Sequence, residues 1–158
     1  MALIIVVLVL ILDQGSKYLV QTRMTEETSI PIIQNIFHLT YIKNPGAAFG
    51  LLAYRTTFFI AITLLVIGII IYYYRQVPKE QLALRIALAM QIGGALGNMF
   101  DRVLYGKVVD FLDFRIWSYI FNLADSAIVV GACILAWFLV LGSKKEKLES
   151  PEGQQSGG

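Results

Sequence analysis

The apolar positions of this chain fall into four long runs, at about residues 2–20, 56–74, 82–100 and 119–141. A helix needs about 20 apolar residues to cross the roughly 30 Å hydrocarbon core of a bilayer, and each run approaches that length. The pattern predicts an all-α integral membrane protein, a bundle of four transmembrane helices. No basic segment precedes the first run, and Asp13 follows where a signal-peptide cleavage site would lie, so we interpret this run as a retained helix.

The connections between these runs predict a small β-sheet on one side of the membrane. The loop 24–55 is long for so small a protein, and its residues 37–42 alternate between apolar and polar positions, as strands do. We expect a short extracytoplasmic sheet, or cradle, at the membrane surface. The loop 101–118 should lie on the same side and carries many charged residues. Residues 1–142 then form one membrane-embedded domain.

Composition and charge refine this picture. The chain is 57% apolar and 15% charged, which is typical of a membrane protein. Six Lys and Arg residues lie on the side of the termini and seven on the other side, but those six concentrate near the helix ends, where the positive-inside bias acts most strongly. We therefore predict that both termini are cytoplasmic. Residues 143–158 are charged and then rich in Gly, Gln and Ser, which predicts a disordered cytoplasmic tail.

Two carboxylates indicate chemistry within this membrane protein. Asp110 and Asp125 lie at the edges of apolar stretches, where an unpaired charge costs a few kcal/mol or more. They belong to different elements and can meet only in the folded protein. Two carboxylates around one water cannot both ionise cheaply, so one would keep a proton. Aspartic proteolysis uses this state: the charged Asp takes a proton from the attacking water, and the neutral Asp hydrogen-bonds the developing oxyanion.

Other polar positions have both structural and functional interpretations. Asp13 and Lys17 are four residues apart on a helix, so they form either a structural ion pair or a contact with substrate. Asn98 and Arg102 share a helix face with Asp101, which suits either structural hydrogen bonding or support of a site. Gly93 and Gly97 have the spacing for close helix approach. We interpret Asp113 as a solvated loop charge and Asn122, three residues before Asp125, as part of the site.

The residues and motifs that the sequence lacks argue against several other functions. It has no His-Glu-x-x-His motif, its one histidine is His38, and its one cysteine is Cys133, so it lacks the usual zinc-protease signature, a two-histidine metal site and a disulfide. A small transporter would also keep acids in a bundle, but its path would need polar residues in both halves of the membrane. The run from Phe58 to Ile71 offers only Thr63 as a polar residue. An assembly subunit that uses Gly93 and Gly97 for helix pairing would not explain two Asp-containing motifs. We expect no nucleic-acid partner.

Five motifs resemble, in order and over nearly the whole chain, those of the bacterial lipoprotein signal peptidases, also called signal peptidase II. They are Asp13-Gln14-Gly15-Ser16-Lys17, Asn44-Pro45-Gly46-Ala47-Ala48-Phe49, Gly93-Gly94-Ala95-Leu96-Gly97-Asn98-Met99-Phe100-Asp101-Arg102, Val108-Val109-Asp110-Phe111 and Phe121-Asn122-Leu123-Ala124-Asp125-Ser126. The resemblance implies an intramembrane aspartyl endopeptidase that removes the signal peptide from a prolipoprotein, cutting just before a diacylglyceryl-modified cysteine.

The resemblance also implies roles for individual residues. Asp110 and Asp125 match the catalytic pair of the family. The positions that match substrate-binding or site-supporting residues are Asn44, Gly46, Asn98, Arg102, Asn122, Ala124, Asp13 and Lys17. The implied fold is four transmembrane helices with a small outer sheet, without metal or cofactor. We expect a monomer in the bacterial cytoplasmic membrane, with its active site near the extracytoplasmic face and with membrane lipids and a diacylated prolipoprotein as partners.

Overall fold

The computed structural model describes residues 1–46 and 55–149, and of residues 139 and 141–149 the backbone only. Residues 47–54 of the predicted outer loop and 150–158 of the predicted tail lie outside the described residues. The described part contains four helices: α1 (Ala2–Arg23), α2 (Thr56–Gln76), α3 (Leu82–Tyr105) and α4 (Leu123–Glu149). It also contains four strands: β1 (Ser29–Ile33), β2 (Phe37–Asn44), β3 (Val108–Phe114) and β4 (Ile120–Phe121).

Three of these helices, α1, α2 and α3, are long and apolar enough to cross a membrane. The apolar part of α4 whose side chains are described, Leu123–Phe138, is shorter than the about 20 residues of a typical span. The helix begins at Leu123 and not near residue 119, because residues 120 and 121 pair with β3 as a strand. The structure therefore supports several apolar helices, and the count of four membrane spans stays a prediction.

The end of α4 differs from the sequence prediction. We predicted disorder from residue 143 onward, but the helix continues to Glu149. Residues 144–149 are Lys, Glu and Leu, which are good helix formers. The prediction from composition alone was too short, because a helix that is already nucleated extends easily into residues that favour helix.

One antiparallel sheet, in the order β1-β2-β3-β4, lies at one end of the helices. The sequence predicted a strand at 37–42 but no strand in 101–118 or at 120–121. Residues 108–114 form β3, which is nearly fully buried on its first four residues. Val109 and Phe111 of this strand pack with Val20 of α1 and Tyr41 of β2, so the sheet is attached to the end of α1 by an apolar core.

Glycines on α3 allow its neighbours to approach closely. A Cβ on Gly94 would collide with the backbone oxygen of Ala124, and a Cβ on Gly97 would lie 2.6 Å from Oδ2 of Asp13. At Gly93 the added Cβ would lie 2.8 Å from Cβ of Val9. The small-residue surface therefore packs α1 and the start of α4 against α3, and it brings the polar residues of these three helices together.

Candidate active site

Asp110 and Asp125 line the same cavity. Asp110 lies in β3 and Asp125 in the first turn of α4. The cavity has a volume of about 310 Å³ and is also lined by Asn44 of β2. Its other lining residues are mostly apolar: Tyr119, Ile120, Phe121, Ile128 and Val129. A cleft with apolar walls and two carboxylates is suited to holding a peptide segment beside the acids.

Amide hydrogen bonds hold the Asp110 carboxylate. The side chain of Asn122 donates to its Oδ1 at 2.7 Å, and the side chain of Asn44 donates to its Oδ2 at 2.9 Å. The pKa of Asp110 is raised to about 7, mainly by burial; the negative charge of Asp125 also raises this pKa, and the two amide donors lower it. Because the effect of burial is the largest, Asp110 is suited to carrying a proton near neutral pH.

Asp125 is held by the N-terminus of its own helix. Its backbone N–H donates to Oδ1 of Asn122 at 2.8 Å, and the backbone N–H of Asn122 donates to Oδ2 of Asp125 at 3.3 Å. This reciprocal pair is the capping-box arrangement, with Asn122 as the N-cap and Asp125 at the third helical position. The helix dipole favours negative charge at this end. The sequence spacing Asn-x-x-Asp thus positions one carboxylate of the candidate pair.

Asn98 connects the pair to α1. Its side-chain nitrogen donates to Oδ1 of Asp125 at 2.6 Å. Its side-chain oxygen accepts from Nζ of Lys17 at 3.1 Å and from the amide of Asn122 at 3.0 Å. Since both neighbours can only donate to that oxygen, the amide group of Asn98 is oriented with its nitrogen toward Asp125.

Lys17 lies at the centre of a buried polar cluster. Its Nζ lies 2.8 Å from Oδ2 of Asp13 and 2.9 Å from Oδ2 of Asp101, and it is 1% exposed. Gln14 adds hydrogen bonds from its amide to both acids, at 3.0 and 2.9 Å. Spacing along α1 predicted that Asp13 and Lys17 can pair, but it did not predict that Asp101 of α3 is buried against the same lysine.

The same cluster holds the backbone of the strand and of the helix that carry the two acids of the site. Oδ1 of Asp13 accepts a hydrogen bond from the backbone N–H of Ala124 at 2.9 Å. Oδ2 of Asp101 accepts one from the backbone N–H of Val109 at 3.1 Å. These two backbone groups are each one residue before a carboxylate of the candidate pair. The cluster around Lys17 therefore fixes the positions of Asp110 and Asp125 without lining their cavity.

A family model described as signal peptidase (SPase) II matches residues 5–141 of the chain. The chain belongs to the signal peptidase II family. Relatives named lipoprotein signal peptidase include one from Moorella thermoacetica, 51% identical over 93% of this chain and 97% of the relative. Another, from Clostridioides difficile, is 43% identical over 92% of this chain and 98% of the relative.

Solved structures show the same likeness. A bacterial membrane enzyme determined by the in meso method at 2.3 Å resolution superposes with a TM-score of 0.80. It is 33% identical to this chain and covers 99% of it, while this chain covers 94% of that one. A second such enzyme, at 1.9 Å resolution, has a TM-score of 0.80 and 37% identity over 87% of this chain and 91% of that one. Signal peptidase II is a family of proteases, so membership favours a protease over the transporter and assembly-subunit hypotheses.

Gly46 and Arg102 are two further residues of the motifs that the sequence contains. Gly46 has φ of +89°, which favours glycine, and its N–H donates to Oδ1 of Asn44 at 2.9 Å. This bond turns the nitrogen of the Asn44 amide toward Asp110. The guanidinium of Arg102 lies 5.1 Å from the centre of the Phe59 ring and donates to the backbone oxygen of Asn98 at 3.4 Å. Arg102 is not among the residues that line the described part of the cavity.

Asp113 is not the solvated loop charge that the sequence suggested. It lies in β3 and is 4% exposed. Oδ2 of Asp113 accepts hydrogen bonds from Thr40 at 2.7 Å and Arg115 at 3.1 Å. The error arose because the segment 101–118 was interpreted as a loop. With β3 recognised, Asp113 falls opposite His38 of β2 and is shielded by the sheet.

Proposed function

We propose that this chain is an intramembrane aspartyl endopeptidase that removes the signal peptide from diacylglyceryl-modified prolipoproteins, cutting N-terminal to the lipidated cysteine. The observation that carries the proposal is the position of Asp110 and Asp125 on one cavity in a member of the signal peptidase II family. The relatives named lipoprotein signal peptidase supply the substrate class. Asn44, Asn98 and Asn122 are proposed to orient the two carboxylates.

In the proposed mechanism one proton is shared by the two acids. Asp125 is the ionised partner, because it lies at a helix N-terminus and accepts two hydrogen bonds. Asp110 is the protonated partner, because burial raises its pKa. Asp125 removes a proton from a water molecule as that water attacks the carbonyl carbon of the scissile peptide bond. Asp110 hydrogen-bonds the carbonyl oxygen as it becomes negative, and a proton then passes to the leaving nitrogen.

The apolar helices and the distribution of Lys and Arg along the chain support a proposed placement in the membrane. Residues 1–142 form the membrane-embedded domain, α4 is the fourth span, and both termini are cytoplasmic in the cytoplasmic membrane of a bacterium. The sheet and the pair of acids then lie at the extracytoplasmic end. Water reaches the acids there, while the acyl chains of the substrate remain in lipid. We propose that the enzyme acts as a monomer.

The lipid on the substrate is proposed to supply most of its binding. Each buried methylene contributes about 0.8 kcal/mol, so two acyl chains hold the substrate strongly and leave the polar groups to orient the peptide bond. The purified protein is therefore expected to cleave a diacylated prolipoprotein and to leave the same precursor without its lipid uncut. Mass spectrometry of the products should give a mature chain that begins with the lipidated cysteine. Cleavage at another bond, or equal rates on both precursors, would contradict the proposal.

The pH dependence of cleavage tests the shared proton. The pKa of Asp110 is raised to about 7, so this acid is protonated below that pH and loses its proton above it. Because the proposed mechanism needs that proton, the rate is expected to fall as the pH rises through this value. Asn44 donates a hydrogen bond that lowers the pKa of Asp110. Asn44→Ala should therefore move the alkaline limb of the pH–rate profile, where cleavage slows, to higher pH.

The matched control for this shift is Thr40→Val. Thr40 lies on the same strand as Asn44 and donates to Asp113, which does not line the cavity. Its alkaline limb should coincide with that of the unmodified protein. A limb that moves to lower pH in Asn44→Ala would show that Asp110 is not the group that holds the proton.

A further inference from the structure

A second cavity lies on the other face of the sheet from the candidate active site. It has a volume of about 470 Å³ and is lined by Gln21 of α1, Lys43 of β2, Tyr105 of α3, and Lys107 and Val109. Lys43 and Val109 are register partners in the sheet. Successive side chains of a strand point to opposite faces, so Asn44 and Asp110 face away from this cavity. The two cavities share no lining residue.

The polar groups of this second cavity favour an anionic ligand. The two lysines, the glutamine amide and the tyrosine hydroxyl can all donate hydrogen bonds, and none of the lining residues in the described part of the chain is acidic. Lys43 is paired with Glu26 at 2.9 Å, but both side chains are more than one third exposed, so that pair is weak. Lys107 forms no ion pair with any of the side chains that the structure describes, those of residues 1–46, 55–138 and 140. The cavity therefore carries a positive charge that a phosphate could neutralise.

The position of the cavity indicates where this phosphate comes from. Gln21 and Tyr105 lie near the C-terminal ends of α1 and α3, two helices long enough to span a membrane, so the cavity is at the level of lipid headgroups. Tyr18 lies one turn before Gln21 on the same face of α1 and is 66% exposed. Exposed aromatic side chains beside a cationic cavity suit a molecule with a charged head and apolar tails.

We propose that the cavity between Lys43 and Lys107 binds the phosphate headgroup of an anionic phospholipid from the same leaflet as the active site. The lysines neutralise the phosphate, the side chains of Gln21 and Tyr105 donate to its oxygens, and the acyl chains run along the lipid-facing side of α1. The site is separate from the cavity that holds Asp110 and Asp125. A bound lipid would brace β2 and β3 from the face opposite to the acids.

Native mass spectrometry of the delipidated protein tests this site. Phosphatidylglycerol is titrated against phosphatidylcholine, which carries a phosphate without a net negative charge, and against inorganic phosphate. A lysine near a membrane surface contributes about fivefold in affinity for anionic lipid. The double variant Lys43→Gln with Lys107→Gln is therefore expected to bind phosphatidylglycerol about 25-fold more weakly. Raising the salt concentration should weaken binding to the unmodified protein.

The matched control is Lys79→Gln. Lys79 is exposed and lies in the connection between α2 and α3, at the opposite end of α3 from Lys107. This variant should keep the affinity of the unmodified protein, and the lipid-free melting temperatures of all variants should agree. Equal retention of phosphatidylglycerol by the double variant would overturn the proposal. So would phosphatidylcholine binding as tightly as phosphatidylglycerol, or inorganic phosphate displacing the lipid at similar concentration.

Discussion

Asp110→Asn and Asp125→Asn are each expected to lower the rate of prolipoprotein cleavage by about 10³-fold or more, within the range that positioned acid–base groups contribute. An amide can neither accept the proton of the attacking water nor supply a proton for the leaving nitrogen. Asn has nearly the shape of Asp, so the hydrogen-bonded surroundings of each side chain should still allow folding. Single-turnover assays on purified variants, with circular dichroism to confirm helix content, measure this effect.

The matched control for the acid pair is Asp113→Asn. Asp113 is a buried carboxylate on the same strand as Asp110, but it bonds Thr40 and Arg115 and does not line the active-site cavity. This variant should lose some stability and keep most of its cleavage rate. Full turnover by folded Asp125→Asn would remove Asp125 from the proposed mechanism, and a loss in Asp113→Asn as large as in Asp110→Asn would show that the assay reports folding.

Lys17→Met is expected to destabilise the protein by about 3–5 kcal/mol, because it leaves buried acids without their cation. Lys17 is 1% exposed and lies within 3 Å of both Asp13 and Asp101. The two acids in turn hold the backbone of Ala124 and Val109. The melting temperature in detergent should therefore fall together with the cleavage rate.

Glu26→Gln supplies the comparison for this effect. It breaks the ion pair between Glu26 and Lys43, in which both side chains are exposed. The variant should lower the free energy of unfolding by less than about 1 kcal/mol. The result that contradicts the structural role of Lys17 is a Lys17→Met variant with an unchanged melting temperature and no cleavage. In that case Lys17 would act on the substrate directly, the alternative that the sequence left open.

The cluster around Lys17 illustrates what pattern reasoning could reach. Asp13 and Lys17 are one helical turn apart, so their pairing was predictable from spacing. Asp101 is far away in the chain, and its burial against Lys17 depends on how close α1 and α3 come. That distance is set by Gly93 and Gly97, whose role in packing was predictable but whose partners were not.

The sheet illustrates the limit of the same reasoning. Residues 108–114 are nearly continuous in burial, so their side chains do not alternate in polarity as those of a half-exposed strand do. The segment was therefore interpreted as a loop, and Asp113 as a solvated charge. Asn122 was placed beside Asp125 by its spacing, but its bond to Asp110 required β3 to pass the start of α4.

The sequence by itself determined that this is a membrane protein and which family its motifs match, and it predicted a small sheet and a pair of acids as the candidate catalytic groups, because hydropathy, spacing and motifs are local properties of the chain. Only the tertiary structure decided that Asp110 and Asp125 share a cavity, that Lys17 serves two acids and that a cationic cavity lies behind the sheet. These features depend on contacts between residues distant in the chain, which close packing of helices and strands creates and which no local pattern encodes.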